Sequence, residues 1–570
     1  MSSSVKTRIQ NVSRVALLAT ACVFEFELAA QEWAWVKGQG GQGAERSTGI
    51  ALDTQGHHYV AGWFESSATF GSQTLAVTGH RDAFIGKWDA SGNLAWVQKA
   101  GGKDEDYASA ITVDPSGNPV VLGTFRSATA EFGGLTLTNT YARDYNSLFL
   151  VKLDPLGRGL WAQQVGGGST YDSASVRTDA QGNIYFVACM ARFANFGVTN
   201  LTGYEDILVA KYDPDGNLLW ARGAGGNGYD YGLSLVVSAG GVAYVTGTFE
   251  KTAPFSQLTL TSRGLNDLFL ARYSPEGDVE WVTQAGGTMQ EANGVLALDP
   301  EGGVFLSGAF RGSATIGTNA FTPAASPYDQ DVFFARYDAL GNVRWARQIG
   351  HPAVDVDTPG SIAVNVTTDG SHYYTNVLLS GHFASYTTVG TVALTNTSAQ
   401  RMYLSQWNLD GEVLWVRQGG GDSSVIACDD NPHPRVYLTG QFTDPAAWNA
   451  TWLLNSGNAD IFLACLDSAA PTSAPSGPAI LQPPLSVAAA AGSAVQLDVR
   501  ITGTAPVTYR WRKNGAALSD SSRVYGSATP RLKVNSCQTN DAGNYTVAVS
   551  SASGSVTSAV AVVTVGPATS

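Results

Sequence analysis

Seven tryptophans, each followed five residues later by a glycine, cut most of this chain into near-equal lengths. The pairs are Trp35 and Gly40, Trp96 and Gly101, Trp161 and Gly166, Trp220 and Gly225, Trp281 and Gly286, Trp345 and Gly350, and Trp415 and Gly420. Successive tryptophans stand 59 to 70 residues apart. The stretch Asp206 to Gly226, DILVAKYDPDGNLLWARGAGG, is the clearest copy. Its two apolar runs flank a D-x-x-G turn, which is the pattern of a β-hairpin. A period near sixty residues with several short strands per unit marks a propeller or another β-array.

Each unit contains four strand-like runs, named a to d in chain order. In the first unit they are GIALD from Gly49, YVAGWF from Tyr59, DAFIGKWD from Asp82 and NLAWVQKAG from Asn93. Seven a, b and c runs can be counted, but the last c run, Asp460 to Asp467, leads directly into Ser468-Ala469-Ala470-Pro471. The missing d strand is EWAWVKGQGG, Glu32 to Gly41, at the other end of the chain. The expectation is an all-β, seven-bladed β-propeller over residues 31 to 467, with four-stranded blades and no open sheet edge once the N-terminal strand closes the ring.

The chain carries a formal net charge of −13, and only 14% of its residues are charged. That balance argues against a nucleic-acid partner, which calls for a basic patch. Lys6, Arg8 and Arg14 precede an apolar run from Val15 to Phe24, and Leu28-Ala29-Ala30 offers a small-residue cleavage site, so residues 1–30 read as a signal peptide. Cleavage and lipidation at Cys22 is the alternative export route. No run reaches the roughly 20 apolar residues of a transmembrane helix. The expected location is therefore secreted or at the cell surface, as a monomer. Beyond the signal four cysteines remain, Cys189, Cys428, Cys465 and Cys537, and strand spacing places Cys428 and Cys465 too far apart to bridge.

The motifs Tyr244-Val245-Thr246-Gly247-Thr248-Phe249 and Asp206 to Trp220 resemble the SBBP-type repeats of bacterial seven-bladed propellers. The third unit departs at Ala188 and Met190, and the sixth at Arg401 to Trp407. The resemblance implies export and surface association, and no reaction. Residues 468–478 form a Pro/Ser/Ala linker. Residues 479–566 resemble an immunoglobulin-like domain, with Trp511 for the core, Asp541 to Tyr545 for the tyrosine corner, and Val499 and Val547 where the inter-sheet cysteines would stand.

No nucleophile elbow, P-loop or H-E-x-x-H spacing appears. The leading expectation is an exported, non-catalytic binding or adhesion protein that presents loops to an extracellular glycan or protein, without a cofactor. The alternatives are a propeller enzyme, either quinoprotein-like or polysaccharide-cleaving, and a purely structural surface component. Candidate ligand residues lie on the d-to-a turns: Asp106, Tyr107, Tyr171, Asp172, Tyr229, Asp230 and Tyr231. Every unit also carries an acidic residue there, namely Glu45, Asp106, Asp172, Asp230, Glu291, Asp357 and Asp422. These seven either cap their own turns or make a negative ring that a cation such as calcium would relieve.

Overall fold

The computed structural model describes residues 32–567 apart from 141–145, 170–173, 191–192, 196–199, 203–204, 323–328, 351–354, 369–372, 397–400, 430–433, 450, 468–477, 503–507 and 552–553. The proposed signal, most of the proposed linker, and Tyr171 and Asp172 lie outside the described residues. The chain is all-β, with one three-residue helical turn, Thr539–Asp541, among the described residues.

Six consecutive antiparallel sheets follow the a–b–c–d order, five of them four-stranded and the fourth extended to six strands by a hairpin of the next unit. In the first, Glu45–Leu52, His58–Phe64, Asp82–Trp88 and Leu94–Ala100 lie side by side. The seventh sheet takes a, b and c from Asp422–Cys428, Arg435–Phe442 and Asp460–Asp467. Its fourth strand is Glu32–Gly41, antiparallel to the c strand from Glu32 opposite Asp467 to Gln39 opposite Ile461. The a strand of each unit lies beside that of the next, and the a strand of the seventh lies beside that of the first. The b and c strands are almost wholly buried and sandwiched between sheets, so they read as continuous apolar runs.

The repeated tryptophan joins one unit to the next. Nε1 of Trp96 donates to the Pro155 carbonyl at 3.1 Å, and Trp161, Trp220, Trp281 and Trp345 repeat that bond to Pro214, Pro275, Ala339 and Leu409. Trp35, from the N-terminal strand, bonds Ala90 of the first unit. Each acceptor lies in the c-to-d turn of the following sheet, and the turn glycine packs on the indole face. A Cβ on Gly92 would stand 2.8 Å from the Trp35 ring, and one on Gly277 2.6 Å from the Trp220 ring. The seventh unit has no c-to-d turn in sequence, and Trp415 bonds Gln406 of its own sheet instead.

The long b-to-c insertions form hairpins that extend the preceding unit's d strand. Ala68–Phe70 pairs with Gly40 and Gly41, and Ala314–Ile316 pairs with Ala285 to Gly287. At Gly101 and Gly350 the same lacing is made through Glu131 and Thr388.

In the C-terminal part, one sheet contains Thr508–Lys513 beside Gly543–Ser551, and the other pairs Val495–Asp498 with Arg531–Val534. Trp511 is fully buried between them with Val499 and Val547, so apolar packing fills the place of an inter-sheet disulfide. The Tyr545 hydroxyl donates to the Asp541 carbonyl at 2.7 Å, the bond of a tyrosine corner. Cys189, Cys428, Cys465 and Cys537 are all unbridged. Trp452, in the hairpin of the seventh unit, meets Tyr509 edge-on at 5.4 Å, and the Arg531 guanidinium donates to the Asn455 side chain and carbonyl at 2.8 and 3.0 Å. Among the described residues no helix is long and apolar enough to cross a membrane.

Candidate functional site

The d-to-a turns fold around a spacing that strand periodicity does not reveal. The second glycine of the Gly-Gly pair precedes the acidic residue by four, and its N–H donates to that carboxylate. Gly41 bonds Glu45 at 2.9 Å, Gly102 bonds Asp106 at 2.6 Å, Gly226 bonds Asp230 at 2.7 Å, and Gly287 bonds Glu291 at 3.2 Å. The Gly-Gly pair and the acid are therefore one capping device. Asp106 also accepts from Arg126 N, Ser127 N and Ser127 Oγ.

These carboxylates turn inward. Glu45, Asp106, Asp230, Glu291 and Asp357 have no exposed surface. Most stand against a second carboxyl from the start of the preceding c strand. A Cβ on Gly225 would lie 2.9 Å from both Asp206 Oδ1 and Asp230 Oδ2, and one on Gly40 would lie 2.7 Å from Asp460 Oδ1 and Glu45 Oε2. Gly40, Gly225 and Gly286, each five residues after a tryptophan, leave the space that such a carboxyl pair occupies. Burial pushes Glu45 up to about 7, with Asp460 and Glu65 adding to the rise. Burial pushes Glu291 up to about 9, with the neighbouring Asp267 adding to the rise. Asp357 also reaches about 9, through burial first and then Asp355, Asp331 and Asp329. Asp106 rises to about 6, since its four donors only partly offset burial. Asp422 instead faces a cation, with Arg401 Nη1 at 3.8 Å. Among the described residues no three His, Cys, Asp or Glu side chains converge as a metal site.

The tyrosines of the same turns divide by exposure. Tyr107 is buried; its hydroxyl accepts from Arg81 at 2.6 Å, and the Arg81 guanidinium lies between the Trp63 and Tyr107 rings while pairing with Glu65. Tyr229 is 42% exposed and stacks on Tyr231 with centroids 6.4 Å apart and planes 7° from parallel. Tyr231 donates to Glu205 at 2.7 Å. Of the candidate residues that are described, Tyr229 and Tyr231 are thus brought together as an aromatic surface beside a carboxylate, whereas Asp106, Tyr107 and Asp230 are buried joints between units.

At the other end of the a strands lies a cavity of about 860 Å³ lined by residues from all seven a strands. Sequence periodicity gave no sign of it, because its wall residues read as ordinary strand interiors.

Residues 478–565 match the immunoglobulin I-set domain family. Over 510 residues the chain is 21% identical to an uncharacterized WD repeat-containing protein of Acanthamoeba polyphaga mimivirus, covering 72% of this chain and 36% of that protein. Over 140 residues it is 29% identical to the regulatory protein FlaEY of Caulobacter vibrioides, covering 23% of this chain and 15% of that protein. The chain thus spans well under half the length of either relative. Among solved structures, the titin and obscurin-like 1 immunoglobulin complex is 28% identical over 17% of this chain and 99% of that one, with a TM-score of 0.16. A titin domain in a trigonal crystal form is 21% identical over 16% of this chain and 100% of that one, also with a TM-score of 0.16.

Proposed function

We propose that residues 31 to 467 form a seven-bladed propeller of the SBBP-repeat type, exported by the segment 1–30. On this reading it acts as a non-catalytic binding or adhesion protein, and the immunoglobulin-like part serves as a spacer or second contact. Support for the ring comes from the succession of neighbouring a strands that returns from the seventh to the first, and from the N-terminal strand lying against the last c strand. The WD-repeat relative, similar over most of this chain, agrees with a propeller-like array.

The observation that carries the binding reading is the Tyr229–Tyr231 stack. A nearly parallel aromatic pair, Tyr229 exposed and Tyr231 half-buried, with Glu205 at its edge suits the apolar face and hydroxyl rim of a sugar ring, or a flat protein contact. It stands on strand ends held by buried joints, so the rings are positioned by a rigid scaffold. A glycan array and a surface-protein pull-down with the full mature chain test this. Tyr229→Ala should abolish a retained ligand while leaving the melting temperature unchanged. Retention by the variant equal to wild type would overturn the assignment of this face.

A further inference from the structure

The cavity at the far end of the a strands is lined by aliphatic strand residues together with polar and charged ones. Ile50, Ile111, Val236, Leu296, Ile362 and Ile426 contribute from six of the strands. Three charged residues also line it: Arg177, Arg272 and Asp299. Two of these are matched, because Arg336 holds Asp299 through Nε and Nη2 at 2.7 and 3.1 Å, and Arg272 pairs with Glu280. Arg177 has no such partner among the described residues: its Nη1 donates to the adjacent Val176 carbonyl at 2.8 Å, and no described carboxylate pairs with it. A guanidinium has five N–H donors, so most of its capacity is unused.

Comparison among the repeats shows that the fold does not need this charge. Arg177 stands two residues before the turn residue Asp179, and the same position in the other units is Ala51, Thr112, Val236, Ala297, Ala363 and Ala427. Six small or aliphatic side chains serve the strand there. Leaving a guanidinium without a counter-charge in such surroundings is unfavourable, and an anion relieves it. The planar fork matches a carboxylate in a two-bond geometry, and the aliphatic wall suits a hydrocarbon tail.

We infer that the cavity is a binding site for a small amphipathic carboxylate, with its head group on Arg177 and its apolar body against the strand wall. The site is separate from the tyrosine face. Six residues of strand separate Tyr231 from Val237 of the cavity wall, about 20 Å at roughly 3.3 Å per residue, so occupancy of one does not require the other.

Titration calorimetry of the full mature chain with octanoate tests the inference, with octanol as the tail without the charge and inorganic phosphate as the charge without the tail. Octanoate should bind, and both controls should bind far more weakly. Arg177→Met should weaken octanoate by about 10- to 100-fold, the loss of a charge-assisted hydrogen-bonded contact. It should melt at or above the wild-type temperature, because it removes an unmatched charge from an apolar wall. Arg177→Lys keeps the charge and should weaken octanoate less than Arg177→Met does. Ala297→Phe fills the cavity and should weaken octanoate with the guanidinium intact. Equal octanoate affinity in wild type and Arg177→Met, equal binding of phosphate and octanoate, or no octanoate binding at all would each overturn the proposal.

Discussion

A single glycine shows how closely this repeat is constrained. Gly225 has φ +130° and faces the Asp206 and Asp230 carboxyls where its Cβ would be. Alanine there meets an unfavourable backbone conformation, about 1–3 kcal/mol, and must displace two buried polar groups. Gly225→Ala is therefore expected to lower stability by at least about 2 kcal/mol, once strain and overpacking are both counted. Chemical denaturation checks this directly. Gly240→Ala provides the control, since a Cβ there meets nothing within 4 Å; a loss no larger at Gly225 than at Gly240 would show that the carboxyl pair gives way freely.

Strand Glu32–Gly41 carries more of the architecture than any other element, because it supplies the d strand of a unit whose a, b and c strands lie more than 380 residues away. Removing it would expose the N–H and C=O groups along one edge of Asp460–Asp467, and would remove the Trp35 indole that covers Gly92 in the first unit. Deletion of 32–41 is expected to cause aggregation or a broadened, non-cooperative melt. A deletion variant that melts as sharply as the full chain would contradict ring closure through this strand. The pairing was legible in the sequence because the last c run has no successor while an orphan run with the d pattern precedes the first unit. The b-to-c hairpins were harder to read: Ala68–Phe70 and Ala314–Ile316 are only three residues each, too short for an alternating pattern to register. Site residues were less legible still. Asp106 and Tyr107 look like a polar loop in sequence, yet Asp106 caps an inward turn and Tyr107 holds Arg81, and nothing local distinguishes an acid facing water from one facing a neighbouring unit. Arg177 was hidden for the opposite reason, since one basic residue in a strand is ordinary until six other repeats are seen to line the same cavity.

At the scale of the whole molecule, the joints between units make stability depend on pH in a way that the formal charge of −13 conceals. That figure counts every carboxyl as ionised, whereas Glu291 and Asp357, pushed up to about 9, hold their protons at neutral pH. Glu45 at about 7 and Asp106 at about 6 give theirs up within the ordinary range. In the unfolded chain these groups return to near 4.5 for Glu and 3.8 for Asp, so between those values and the folded ones the native state binds more protons. Their contribution is complete below about pH 4, falls progressively above it, and is gone once pH has risen through the folded values of about 6 to 9; over that interval each group alters stability by up to about 1.4 kcal/mol per pH unit. A second set works in the opposite direction. Burial acts to raise Asp89, Asp114, Asp154, Asp213 and Asp338 in the D-x-x-G turns, but hydrogen bonds outweigh it and hold them below the usual carboxylate value, chiefly from Lys152 at Asp114 and from the turn itself at the others. Their contribution is present above pH 3.8 and is lost as pH falls through their lower folded values. The two sets together place maximum stability near pH 4, with a fall from there toward pH 9. Thermal melts at constant ionic strength should show this, and Glu291→Gln, which keeps a neutral side chain at every pH, should flatten the alkaline limb. A melting temperature that is level or rising from pH 5 to 9 would mean that the junction carboxyls are ionised in the folded protein, and the inter-unit joints would then have to be held by cations.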